Sequence, residues 1–135
     1  MRLGSKDTYT GPPNTGIHES TRARVPSSRE SEKALEAKFR KECEENGWMA
    51  IKLLSQLHRG LPDRMVLAPF GLTFFAEIKT TGKKPTRLQK HCHQQLEDLC
   101  FQVFVIDSTA SLDRAIALMN RAVIAERIRQ EELGL

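Results

Sequence analysis

Cysteine is scarce in this chain: Cys43, Cys92 and Cys100 are odd in number and form no CxxC pair. That argues against a disulfide framework and leaves them as small core or boundary residues. Aromatic residues are few, with one Trp and one Tyr, so a polyanion held through its backbone fits better than one held by splayed, stacked bases. No apolar run is long enough to span a bilayer, and the first residues lack the uninterrupted apolar core of a secretory signal. The expected location is therefore cytoplasmic. There is no internal repeat and no heptad pattern of useful length, and one further absence is local. Between Lys79 and Lys90 lie Lys79, Lys83, Lys84, Arg87 and Lys90 without a single acid.

What is present suits one modest core. The chain has 135 residues and a formal charge of +4, which favours a polyanionic partner. Residues 1–29, with Gly11-Pro12-Pro13 and Pro26-Ser27-Ser28, hold few apolar residues and no sustained period, so they are predicted to form a disordered arm. The arm's Arg2, Lys6, Arg22, Arg24 and Arg29 could touch a polyanion or merely solvate a linker. Residues 30–135 are predicted to form the folded domain.

The most informative stretch is Gly60-Leu61-Pro62-Asp63 followed by Glu77-Ile78-Lys79. Leu72 to Lys79 reads as a strand entered by the turn Pro69-Phe70-Gly71, and Arg64 to Ala68 as its antiparallel predecessor. Strand side chains alternate faces, so Glu77 and Lys79 share one face while Ile78 takes the other. A hairpin closing between Ala68 and Thr73 brings Asp63 towards Glu77. Two carboxylates at one point suit a hard divalent ion, Mg²⁺ or Mn²⁺, which keeps open positions for water and phosphate oxygens. Such a site can polarise a phosphodiester and activate water, with Lys79 orienting or deprotonating that water or neutralising the phosphorane. Read blandly, Glu-x-Lys is an ordinary surface ion pair; the Gly-x-Pro-Asp turn at this distance favours the chemical reading. The basic run beyond the site, Lys83, Lys84, Arg87 and Lys90, would hold phosphates on either side of the scissile bond. His58, Arg59 and Arg64 are further candidates for phosphate contact.

The other elements follow from periodicity. Leu35, Phe39 and Cys43 mark a helix face between Ser31 and Asn46, stopped by Gly47. Trp48 to Leu54 reads as a strand and Ser55 to Arg59 as a loop. A second helix from Thr86 to Leu99 is expected to face the sheet with Leu88, Cys92, Leu96 and Leu99. Gln102 to Ile106 is a strand, and Ser111 to Glu131 a helix with Leu112, Ile116, Met119 and Val123 on one face, widened by Ile124 and Ile128. The triplet His91-Cys92-His93 suggests zinc, but adjacent helical residues diverge by about 100° and do not converge on one ion unaided. The order helix, three strands, helix, strand predicts an α/β fold with helices flanking a mixed sheet.

Ser31 to Asp107 resembles a compact stand-alone VRR-NUC domain of the PD-(D/E)XK nuclease superfamily. The matching residues are Glu32-Lys33-Ala34-Leu35-Glu36, Gly60-Leu61-Pro62-Asp63-Arg64, Glu77-Ile78-Lys79, Gly82-Lys83-Lys84-Pro85-Thr86, Leu88-Gln89 and Val103-Phe104-Val105-Ile106-Asp107. The resemblance implies a restriction-endonuclease-like αβββαβ core and makes Asp63, Glu77 and the Ile78 carbonyl metal ligands. It implies Lys79 as catalytic lysine and Gln89 as a polar active-site residue. For the acid contributed by the first helix, Glu36 is preferred and Glu32, one turn earlier, is the competitor. The implied activity is a metal-dependent, structure-specific endodeoxyribonuclease acting on branched DNA as a homodimer, in the manner of a Holliday-junction resolvase. The alternatives are a flap or nicking nuclease of phage DNA metabolism, and a DNA-binding module that has lost cleavage.

Overall fold

The computed structural model describes residues 30–54 and 58–135. The predicted arm, and the part of the predicted loop at 55–57, lie outside the described residues. The elements are α1 (Glu32–Glu45), β1 (Met49–Lys52), β2 (Arg64–Leu67), a 3-10 turn (Pro69–Gly71), β3 (Thr73–Ile78), α2 (Arg87–Asp98), β4 (Gln102–Ile106) and α3 (Thr109–Glu132). The sheet order is β1-β2-β3-β4, with β1, β2 and β3 antiparallel neighbours and β4 parallel to β3. That last pairing requires a crossover, and α2 supplies it.

Local chemistry explains the boundaries. Ser31 caps α1 by accepting from the Ala34 N–H, and the helix ends where Gly47 takes φ +76° so that the Trp48 N–H reaches back to the Cys43 carbonyl. Trp48 is thereby buried at the helix end, and β1 begins one residue later than expected. Thr86 caps α2 in a reciprocal box with Gln89. Ser108 caps α3, which starts two residues before the expected Ser111 because its cap pairs with Ser111.

Leu35, Phe39 and Cys43 of α1 and Leu112, Ile116, Met119 and Val123 of α3 pack on Val66, Phe74, Ala76, Ile78 and Ile106 of the sheet. This single core fills one face. Alternation puts Phe75 and Glu77 on the other face, under α2. Here one expectation is corrected: Leu88 and Leu99 of α2 are 48% and 69% exposed, and the residues buried are Cys92 and His93. The helix is rotated so that Gln89 and His93 meet Glu77, and polar contacts rather than the leucine stripe set its seating. Ile124 and Ile128 of α3 stay half exposed. Among the described residues no helix is long and apolar enough to cross a membrane.

Candidate active site

The site forms where the β2–β3 hairpin opens beneath the start of α2. The register pairing Arg64 with Ala76, extended by one residue, sets Asp63 opposite Glu77. Three features hold Asp63 there. Gly60 turns the chain with φ +88°, where a Cβ would stand 2.8 Å from the Leu88 carbonyl oxygen, so only glycine lets the loop approach α2 this closely. The Asp63 carbonyl accepts from the Leu53 N–H at 2.8 Å. Its carboxylate Oδ2 accepts from the Ile78 N–H at 2.7 Å, which leaves Oδ1 for another partner.

Glu77 is 1% exposed. Its Oε1 accepts from Gln89 Nε2 at 2.8 Å and lies 3.5 Å from Lys79 Nζ. The same Gln89 amide accepts the Thr86 N–H through Oε1 at 2.9 Å, so one side chain caps the helix and orients the buried carboxylate. Glu77 Oε2 faces His93 Nε2 at 3.5 Å, and neither atom has a hydrogen-bond partner. Burial first, then the neighbouring Asp63 charge, pushes the Glu77 carboxyl up to about 7, against the pull of Lys79. Burial likewise holds the His93 imidazole below its ordinary range.

Two expected site residues are occupied elsewhere. Glu36 binds Arg64 at 2.8 Å and Lys52 at 3.2 Å. Burial would raise its carboxyl, but these two cations outweigh it and hold it below the ordinary range. Arg64 spends its other terminal nitrogen on the Ala50 carbonyl at 2.9 Å and is largely buried, so its guanidinium braces α1 against the sheet. Glu32, one helical turn before Glu36, is exposed, and its charge is among those that raise Glu77. His58, Arg59, Lys83, Lys84, Arg87 and Lys90 are all exposed. The first pair precede the Gly60 turn, the second pair follow β3, and the last pair ride the first turn of α2 beside Gln89. In the sequence His93 belongs to the His91-Cys92-His93 triplet, and what brings it to this site is its position one helical turn after Gln89, on the face that turns inward.

Among the described residues no group of three or more His, Cys, Asp or Glu side chains is already gathered to hold a metal ion. The donors nevertheless fit a hard divalent cation that keeps several waters. Glu77 Oε2 is a buried carboxylate oxygen with no hydrogen to accept, beside a second carboxylate whose mutual repulsion a cation would relieve. Asp63 and Glu77 are the residues that could hold it.

No family model matches the chain. Among curated proteins, "Putative nuclease p44" of Acyrthosiphon pisum secondary endosymbiont phage 1 is 40% identical over 77 residues, which is 57% of this chain and 83% of the relative. Among solved structures, a VRR_NUC domain superposes with a TM-score of 0.61 at 26% identity, covering 65% of this chain and 97% of that domain. The αβββαβ order and the mixed sheet agree with the VRR_NUC domain, and together with the phage nuclease relative they give one assignment: the chain belongs to the VRR-NUC family of nucleases.

Proposed function

We propose that this protein is a divalent-metal-dependent endonuclease that hydrolyses DNA phosphodiester bonds, with branched DNA as substrate and a homodimer as the working form. The observation that carries the reading is the buried Glu77, clamped by Gln89 and Lys79 and facing Asp63, with one carboxylate oxygen left unpartnered. A buried acid kept without a full set of partners weakens the fold, and a cation-binding function accounts for it.

In this reading Asp63, Glu77 and the Ile78 carbonyl hold Mg²⁺ or Mn²⁺. The chemistry such an ion supplies is charge neutralisation at a phosphate oxygen and a water acidic enough to attack near neutral pH. The rest is done by side chains. Lys79, 15% exposed, presents its ammonium to the attacking water or to the charge that builds on the phosphorane. Gln89 fixes the Glu77 rotamer, and Glu32 takes the helical-acid role in place of Glu36, whose charge is spent on Arg64 and Lys52. The exposed Lys83, Lys84, Arg87, Lys90, His58 and Arg59 track the phosphate backbone and offset the repulsion between the carboxylates and DNA.

The homodimer is supported by the outer edge of β4. Its residues Gln102 to Ile106 include no charge and no proline, the usual guards of an exposed strand edge, and the half-exposed Phe101 and Leu118 lie beside it. Two active sites related by a two-fold axis would suit opposed strands of a four-way junction. The test is a panel of end-labelled four-way junction, flap, fork, duplex and single strand, cleaved with Mg²⁺, Mn²⁺ or EDTA, beside light scattering for mass. Paired symmetric nicks on the junction from a dimer are expected. A monomer that cuts flaps or single strands in preference would overturn the junction reading.

A further inference from the structure

Among the described residues three buried side-chain atoms lack a hydrogen-bond partner, Arg64 Nε, Glu77 Oε2 and His93 Nε2, and the last two face one another across 3.5 Å. Each is held from its own side. Glu77 is fixed on β3 by Gln89, and His93 sits on α2 one turn beyond Gln89, buried beside Cys92. A histidine that served only as packing would be expected to hydrogen-bond, since a buried ring nitrogen without a partner is costly. A histidine that served only to orient Glu77 would donate to Oε2 at about 2.7 to 3.2 Å, but the gap is wider and the contact is no hydrogen bond. The spacing suits a different relationship. Two donors each about 2.1 Å from a common octahedral ion stand about 3.0 Å apart at the cis angle, so the gap lies within about half an ångström of a shared-ion geometry. Asp63 is near enough that its charge acts on both groups.

We propose that His93 Nε2 is a direct ligand of the catalytic cation, joining Glu77 Oε2, and that this nitrogen donor tilts the site towards Mn²⁺ and similar borderline ions over Mg²⁺. Mg²⁺ takes oxygen ligands and gains little from imidazole, whereas Mn²⁺ and the later divalent ions accept it. The proposal rests on the metal-site reading given above.

The experiment uses the full chain loaded with Mn²⁺. Pulsed EPR of the bound ion detects a directly coordinated nitrogen. A coupling from ¹⁴N in wild type, converted to ¹⁵N when the protein is made with labelled histidine, is the expected result. In His93→Gln the nitrogen coupling disappears, Mn²⁺ affinity by calorimetry falls about tenfold or more, and Mg²⁺ affinity changes much less. Mn²⁺ that binds wild type stoichiometrically without a histidine nitrogen coupling overturns the ligand role while leaving the Asp63 and Glu77 site intact. Wild type that binds neither Mn²⁺ nor Mg²⁺ overturns both. A coupling that persists in His93→Gln assigns the nitrogen to another histidine and also overturns the proposal. The wild-type spectrum decides the question even if the variant folds poorly.

Discussion

Replacing Glu77 by Gln removes a buried charge while keeping the shape of the side chain, and in the absence of metal it is expected to stabilise the protein. The carboxyl moves from an ordinary value of 4.5 to about 7 in the folded chain. Each factor of ten in acidity is worth about 1.36 kcal/mol, so holding Glu77 ionised at pH 8 costs the fold up to about 3 kcal/mol. The folded value is raised, so the relative stability is fully present below pH 4.5 and is lost as pH rises through about 7. The amide of Glu77→Gln keeps an oxygen for the Gln89 side chain and offers an N–H towards His93, but it leaves Lys79 without its acid. The net gain at pH 8 is therefore expected at about 1–3 kcal/mol, or a rise in Tm of several degrees for a domain near a hundred residues. The assay is thermal unfolding of wild type and Glu77→Gln in EDTA from pH 5 to pH 8, repeated with saturating Mn²⁺. The gap should shrink to under about 1 kcal/mol at pH 5. With Mn²⁺ at a hundredfold excess over Kd wild type gains about 2.7 kcal/mol that the variant lacks, so the gap at pH 8 should close or reverse. A variant no more stable than wild type in EDTA at pH 8, or a gap that ignores pH, would refute the reasoning.

Gly60→Ala forces a Cβ to within 2.8 Å of the Leu88 carbonyl at φ +88°; an expected loss of about 1–3 kcal/mol by denaturant unfolding should accompany slower cleavage, because the loop carries Asp63. Gln89→Glu keeps the acceptor that caps α2 but sets a carboxylate against Glu77. Its helix content should be unchanged by circular dichroism while metal affinity falls about 10- to 100-fold, and unaltered affinity would show that the amide does not support the site. Arg64→Met should destabilise the fold without altering the salt dependence of DNA binding, whereas Lys84→Ala should lower the slope of log K against log salt by about one. A reduced slope in Arg64→Met would mean that the guanidinium reaches phosphate after all.

The strand pattern around Glu77 was legible because period-two alternation is strong in Leu72 to Lys79, and the α1 and α3 stripes were legible because their buried faces are apolar. The α2 face was legible only in part, at Cys92, which is buried as expected. Leu88 and Leu99 form a helical stripe in the sequence, yet the inward side carries Gln89 and His93 because a buried carboxylate on β3 recruits polar partners. Hydrophobic periodicity cannot register a face seated on polar contacts. Glu36 and Glu32 lie on one helix flank, one turn apart, and sequence spacing alone could not separate them. What distinguishes them is Arg64, whose direction depends on strand register and which binds Glu36 on the core face of the sheet.

Metal-dependent hydrolysis of DNA by Asp63, Glu77 and Lys79 is tested most directly by single-turnover cleavage of end-labelled DNA with Mn²⁺, comparing wild type with Lys79→Met and measuring binding of each to the same DNA. Wild type is expected to cleave in a reaction that EDTA abolishes. The variant is expected to bind DNA within about threefold of wild type but to cut at least about a hundredfold more slowly. Equal cleavage by Lys79→Met, or cleavage that survives EDTA, would contradict this assignment.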